Sequence, residues 1–155
     1  MTAKGDIAAA VITMATAGIP EVDGRVYRTR ILPTDPRHWP CLMVVVDNER
    51  VETKGGIPGR RAQVRTAILT VFAVTDGRRD DLEDTLDTFG DKIESVIAAD
   101  HFLTAGGTPK VSDLRLASTL ATISPQGEAA LGVLRKDYEV TYHTNEANPG
   151  QLLAR

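Results

Sequence analysis

The chain has 155 residues, of which 42% are hydrophobic and 25% are charged, and its formal net charge is −3. This length suits one domain with a sizeable core, and the composition is that of a soluble globular protein. The acidic balance argues against a general nucleic-acid or membrane binder, which would usually be basic, although a local basic patch remains compatible with it. The single cysteine, Cys41, excludes an intrachain disulfide, and no apolar run is long enough to cross a membrane.

The apolar segment from Ile7 to Ala17 opens the chain. We read it as a short helix that is capped near Asp6 and stopped by Gly18, with its larger apolar side chains facing inward. The alternative is a signal peptide that is cleaved after Ala17. Asp6 and the single lysine before the apolar segment argue against that alternative.

Apolar alternation and β-branched residues predict strands in five segments, which are Arg25–Leu32, Cys41–Thr53, Gln63–Thr75, Asp113–Ser124 and Leu131–His143. The second half of the third segment is apolar on both faces, which is typical of an interior strand. The proline-rich segment Pro33–Pro40 is predicted to be a loop, and its Trp39 is expected to pack over the edge of the core or, alternatively, to anchor an interface.

The clearest periodic segment is Asp80–Ala99. Its apolar residues recur every three or four positions and so fall on one stripe of an α-helix. These residues are Leu82, Leu86, Phe89, Ile93, Val96 and Ile97. Acidic residues cover the other faces and crowd the first turns, where the helix dipole favours negative charge.

The predicted order of elements is therefore α-β-β-β-α-β-β. Two short connections, at 53–63 and 125–130, favour antiparallel pairing. We expect an α+β fold with a single antiparallel or mixed sheet of four to five strands and both helices packed on one face. Residues 1–144 would form one domain, and residues 145–155, which lack a packing pattern, would form a mobile C-terminal tail.

No catalytic or metal-binding motif stands out in the sequence. The histidines at 38, 101 and 143 have no second ligand at metal-binding spacing, and Cys41 opens an apolar strand, where cysteine is normally a small buried hydrophobe. We therefore expect a protein that is not an enzyme and that uses no metal or cofactor.

Two charged segments are the candidate subunit interface. The loop Lys54–Ala62 is rich in glycine and basic residues, but it is followed by a strand and lacks the Gly-Lys-Ser/Thr of a phosphate-binding loop. It is either a flexible hairpin tip or an assembly arm whose arginines meet carboxylates on a neighbour, and nucleic-acid contact is a weaker alternative. The acidic side of the Asp80–Ala99 helix is the counterpart that those arginines would meet. It is not predicted to bind a metal ion, because a convex face spreads its carboxylates too widely. The candidate interface residues are Lys54, Arg60, Arg61, Asp80, Asp84, Asp87 and Asp91.

The sequence resembles the small tail terminator and tail-completion (minor tail) proteins of long-tailed bacteriophages and gene transfer agents, over residues 6–144. The resemblance lies in the order of elements and in the phrases PCLMVVVDNERVE, RAQVRTAILTVFAV, DDLEDTLDTFGDKIESVIAAD and LGVLRKDYEVTYHT. It carries over no catalytic or ligand-binding residue.

The resemblance implies a structural protein of the virion tail, assembled in the cytoplasm of the bacterial host. Such a protein forms a ring, typically of six copies, that caps the tail tube, stops its polymerisation and joins it to the head. The implied partners are other copies of the chain, the tail tube protein and the head–tail connector protein, with DNA only as passing cargo and no membrane. The alternatives are a connector, neck or tube subunit, or a small nucleic-acid-binding module that uses the basic loop.

Overall fold

The computed structural model describes residues 2–33, 35–78, 80–105, 107–126 and 129–153. In chain order the elements are α1 (Ala3–Gly18), β1 (Val26–Tyr27), β2 (Cys41–Thr53), β3 (Ala62–Asp76), α2 (Leu82–Ala99), β4 (Asp113–Gln126) and β5 (Ala129–Asn145). Single 3-10 turns at Pro20–Val22 and Pro36–His38 flank β1. The predicted order of helices and strands is confirmed.

The strands form one five-stranded mixed sheet in the order β1-β2-β3-β5-β4. β1 runs parallel to β2, and the other neighbours are antiparallel. β3 lies in the middle, as its two apolar faces predicted. Together with two helices packed on the sheet, this confirms the α+β fold class.

One face of the sheet carries both helices and the larger core. Thr2 caps α1 by accepting a hydrogen bond from the Gly5 amide at 3.1 Å, so the helix begins earlier than the cap predicted near Asp6. The inner side of α1 buries Ile7 and Val11. The predicted apolar stripe of α2 lies against the sheet. Val96 is partly buried, and the other five residues of the stripe are buried: Leu82, Leu86, Phe89, Ile93 and Ile97.

The opposite face is covered only at one end. A smaller apolar cluster there comprises Cys41, Met43, Val74, Leu131 and Val133. The connection between β1 and β2 folds over this cluster, and its Trp39 packs against it while the indole Nε1 donates a hydrogen bond to the Pro33 carbonyl at 2.8 Å. Trp39 thus packs over the edge of the core. Beyond this cluster the sheet face presents polar side chains.

The structure corrects two details of the predicted strands. β1 is two residues long rather than reaching from Arg25 to Leu32, because it pairs with β2 only at Leu42 and Met43. The predicted strand Cys41–Thr53 is present as β2, with a register shift between Asp47 and Arg50.

The second correction concerns β4. A register shift lies between Leu116 and Ser118, which moves the residues after it to the opposite parity. Leu116 pairs with buried Tyr138, whereas Leu120 pairs with exposed Arg135 on the other face. The sequence of Asp113–Ser124 predicted a regular strand, in which Leu116 and Leu120 share one face. That prediction is wrong, since one extra residue reverses the alternation.

Candidate subunit interface

The glycine-rich loop between β2 and β3, residues 54–61, is exposed but tied to the end of β5. Glu146 accepts hydrogen bonds from the amides of Gly59 at 2.8 Å and Arg61 at 3.2 Å. The Asn145 side chain donates to the Arg60 carbonyl at 3.1 Å, and the Glu146 amide donates to the Arg61 carbonyl at 2.9 Å. These bonds anchor residues 59–61 of the loop to the end of β5, whereas Ile57 at its tip is 70% exposed.

The three basic side chains of this loop differ in their surroundings. Lys54 forms an ion pair with Glu52 at 2.7 Å. Arg61 is partly buried, and its Nε donates to the Gly56 carbonyl at 3.5 Å. Arg60 is exposed and forms no ion pair within the described residues. The loop therefore presents two guanidinium groups, those of Arg60 and Arg61, that have no carboxylate partner among the described residues.

The acidic half of the candidate interface lies on the outer side of α2. Asp80, Asp84, Asp87 and Asp91 are all exposed, and none of them forms an ion pair in the described part of the chain. Asp84, Asp87 and Asp91 are spaced three and four residues apart, which places them on one side of the helix. Their charges repel one another in the isolated subunit, so an incoming cationic surface would relieve that repulsion.

A cleft of about 300 Å³ adjoins this acidic surface. It lies between the first half of α2 and the segments around Glu21 and Pro40, and Asp81 and Asp84 stand at its rim. An ion pair between Lys92 and Glu21 crosses it, and this pair lowers the pKa of the Glu21 carboxyl. Buried Thr75 and Phe89 form the floor, so the cleft combines an apolar base with an acidic rim.

The structure does not bring the basic loop and the acidic surface of one subunit together. The loop precedes β3, whereas α2 follows the opposite end of that strand. β3 spans 15 residues, which at the usual rise per residue separates its ends by about 45 Å. The two charged surfaces can therefore meet only between different copies of the chain, in a head-to-tail contact.

Residues with catalytic or metal-binding potential occupy structural positions. Cys41 is buried, and burial raises the pKa of its thiol to about 11. His143 contacts the Ser112 hydroxyl at 3.2 Å, but the adjacent cavity of about 10 Å³ has room for no more than a water molecule. Among the described residues, no three histidine, cysteine or acidic side chains are placed to hold a metal ion.

Two polar arrangements, one buried and one partly buried, escaped the sequence analysis. Lys136 of β5 is 6% exposed and forms an ion pair with Glu94 of α2. Arg65 and Glu49 form a second pair, and the Tyr142 hydroxyl donates to Glu49 at 2.9 Å. Lys136 follows the apolar parity of β5 and lies opposite Gly90 of α2, where the absent side chain leaves room for the lysine stem. That parity was the signal available in the sequence.

Comparisons with known proteins find similarity among solved structures. No protein-family model and no curated protein matches the chain. Among solved structures, the chain is similar to a chain of the virion of a native gene transfer agent (GTA) particle, at 15% sequence identity and a TM-score of 0.41. The match covers 88% of this chain and 93% of that chain.

None of the helices in the described ranges has both the length and the apolarity needed to cross a bilayer.

Proposed function

We propose that the chain is a structural protein of a phage-like virion tail. Copies of it join head to tail into a ring, six copies by the resemblance, that caps the tail tube, ends its polymerisation and joins it to the head. It assembles in the cytoplasm of the bacterial host. Its partners are other copies of the chain, the tail tube protein and the head–tail connector protein, and it performs no catalysis.

One observation carries this proposal beyond the resemblance: each subunit holds a cationic and an anionic surface about one strand length apart. A ring is built from heterologous contacts, in which two different surfaces of each subunit meet. Arg60 and Arg61 are suited to this contact because a guanidinium group binds carboxylates in a planar, two-pronged geometry. The carboxylates of Asp84, Asp87 and Asp91 are the matching groups. Complementary charges of this kind set specificity and association rate more than affinity.

The test is a charge reversal with rescue. We expect the wild-type chain to form rings, alone or on purified tail tubes, measured as mass by light scattering and imaged by negative stain. Arg60→Glu with Arg61→Glu should abolish the rings, and adding Asp84→Lys with Asp87→Lys should restore them. Arg37→Glu, a single charge reversal at an exposed position in the turn before β2, is the control. Intact rings in the Arg60/Arg61 variant would show that this pair of surfaces does not meet.

The proposed alternative from another class is nucleic-acid binding through the basic loop, for which Arg60 is the best placed side chain. Titration with a single-stranded oligonucleotide at two salt concentrations separates the two functions. Phosphate binding weakens steeply with salt because counterions are released, and binding of this kind that is lost in Arg60→Glu would favour the alternative. A connector, neck or tube role would instead appear as rings or tubes that do not stop tube growth.

A further inference from the structure

The outer strand of the sheet, β4, is exposed along its free edge and on both faces. Three large apolar side chains on it reach solvent, Leu116 at 42%, Leu120 at 58% and Ile123 at 61% of full exposure. The sequence from Leu116 to Ile123, LASTLATI, contains no charge and no proline. The helices do not extend over these residues, since every side chain from Arg115 to Ile123 is exposed.

Natural sheets protect their edges from pairing with other chains by means of charged side chains, prolines, bulges or a covering segment. The distal half of β2 follows this rule: it carries Glu49, Arg50 and Glu52, and its register shifts before Arg50. β4 has charged residues only at its start, at Asp113 and Arg115, and a proline only near its end, at Pro125. Between these positions it has one register shift, and from Ser118 to Ile123 it pairs regularly with β5 without a charge or a proline. The middle of β4 is therefore less protected than the distal half of β2.

The opposite edge of the same sheet offers a matching gap. β1 pairs with β2 only at Leu42 and Met43, so within the described ranges the next residues, Val44–Val46, have no strand on their outer side. The chain after β1 diverges there and leaves an open cleft of about 380 Å³ between Arg28–Ile31 and Val44–Val46. Ile31, on the wall of this cleft, is 81% exposed.

We infer that the Leu116–Ile123 edge of one copy pairs with the Val44–Val46 edge of the next copy, so that the sheets of neighbouring copies are continuous. Neither strand segment contains a charged residue, both lack a second strand on their outer side in the described part of the chain, and each lies beside an exposed apolar side chain that the junction would cover. Arg28 and Arg30, on the wall of the cleft, would flank the incoming strand, and Arg30 is already paired with Asp47. Because the two edges lie on opposite sides of one sheet, pairing them is heterologous and propagates around a ring, whereas pairing of β4 with β4 would close a dimer. This inference rests on the proposed ring and identifies a backbone contact within it, in addition to the charged contact.

Hydrogen exchange and mass together test the junction. In an antiparallel pair, alternate residues of an edge strand direct their amides away from the partner, so free edges exchange quickly and paired edges slowly. We expect peptides covering 114–123 and 43–47 to exchange on the order of tenfold more slowly in the wild-type assembly than in its diluted monomer. The double variant Leu120→Lys with Thr122→Lys should remain monomeric and should exchange at the monomer rate in both peptides. The loss of protection at 43–47, across the sheet from the substitutions, is the diagnostic result.

The control variant is Ser95→Lys with Thr16→Lys, which adds the same charge at exposed positions of the two helices. Since all four positions are exposed, each variant should keep the unfolding midpoint of the wild-type monomer. If the β4 variant still assembles, or if it loses protection at 114–123 while 43–47 is unaffected, the inferred pairing is wrong. If the wild-type chain stays monomeric even on tail tubes, the proposed function itself is wrong. That result comes from the wild-type chain alone, so it is distinct from a failure of the strand pairing, which requires the β4 variant.

Discussion

At the scale of single residues, Asp137 joins the three strands on the polar face of the sheet. Its carboxylate accepts hydrogen bonds from Thr70 of β3 at 2.6 Å and from Ser118 of β4 at 3.1 Å. Arg135, its neighbour on the same face of β5, donates to it at 3.0 Å. Burial acts to raise the pKa of Asp137, but the bonds from Thr70, Arg135 and Ser118 outweigh burial and lower it.

A lowered pKa in the folded state makes a specific prediction for acid stability. The folded chain holds the proton of Asp137 less tightly than the unfolded chain does, so the ionised carboxylate stabilises the fold above the unfolded pKa of about 3.9. That contribution is lost as the pH falls through the folded pKa. We expect Asp137→Asn to lower the free energy of unfolding at pH 7 and to make it decline less than that of the wild type between pH 6 and pH 2.

Urea titrations at several pH values measure this difference, and the comparison of variant with wild type removes the contributions of the other carboxylates. Ser95→Asn introduces the same side chain at an exposed position without removing a carboxylate. It is the control and should follow the pH dependence of the wild type. Parallel pH curves for Asp137→Asn and the wild type would contradict the prediction.

At the scale of elements, the buried side chains of α2 pack against β3 and β5, the central strands of the sheet. Phe89 lies in the middle of its buried stripe and also forms part of the floor of the acidic cleft. Phe89→Ala removes a large buried ring and should cost about 3 kcal/mol, the lower end of the range for such substitutions, because the adjoining cleft lets water into the space.

Urea unfolding followed by circular dichroism tests this value, and Ser95→Ala on the exposed side of the same helix should change the free energy of unfolding by no more than about 0.5 kcal/mol. A loss below about 1 kcal/mol for Phe89→Ala would mean that the ring contributes far less burial than its position indicates.

An element could be predicted from the sequence when many of its residues repeated the same apolar pattern. α2 repeats its apolar spacing over five turns, and β3 is apolar on both faces, so their positions followed from pattern alone. β1 could not be bounded, because its alternation continues past Tyr27 while the pairing stops there. β4 was misread beyond Leu116, since an inserted residue reverses which face each later side chain occupies and leaves no compositional mark.

The candidate interface shows the same division. Exposure of Asp84, Asp87 and Asp91 followed from the helical period, and exposure of Arg60 followed from its glycine-rich surroundings. The anchoring of that loop by Glu146 did not, because it is a contact between segments more than eighty residues apart. Likewise the open edge of β4 depends on the order of the strands, and only the fold reveals that order.

At the scale of the whole molecule, the segment after β5 folds back on the subunit. The Leu153 amide donates to the His143 carbonyl at 2.9 Å, and Leu152 packs against the main core. Glu146 holds the basic loop through the amides of Gly59 and Arg61. The domain boundary at residue 144 and the mobile tail of residues 145–155 stay predictions. A truncation after residue 144 would remove the contacts of Glu146, Leu152 and Leu153.

We expect a chain that ends at Thr144 to lose about 2 kcal/mol of unfolding free energy, from the partial burial of Leu152 and from the hydrogen bonds that Glu146 accepts. Two single variants divide the loss. Leu152→Ala should reproduce the packing component without changing the loop, whereas Glu146→Gln should leave the core intact and speed amide exchange at Gly59 and Arg61, since a neutral amide accepts these bonds more weakly than a carboxylate.

If the basic loop binds the acidic surface of a neighbour, both the truncation and Glu146→Gln should slow ring formation, because a loop without its anchor loses more conformational entropy on binding. A truncated chain that is as stable as the full chain, and that forms rings equally fast, would place the domain boundary at residue 144 and leave the last eleven residues without a structural role.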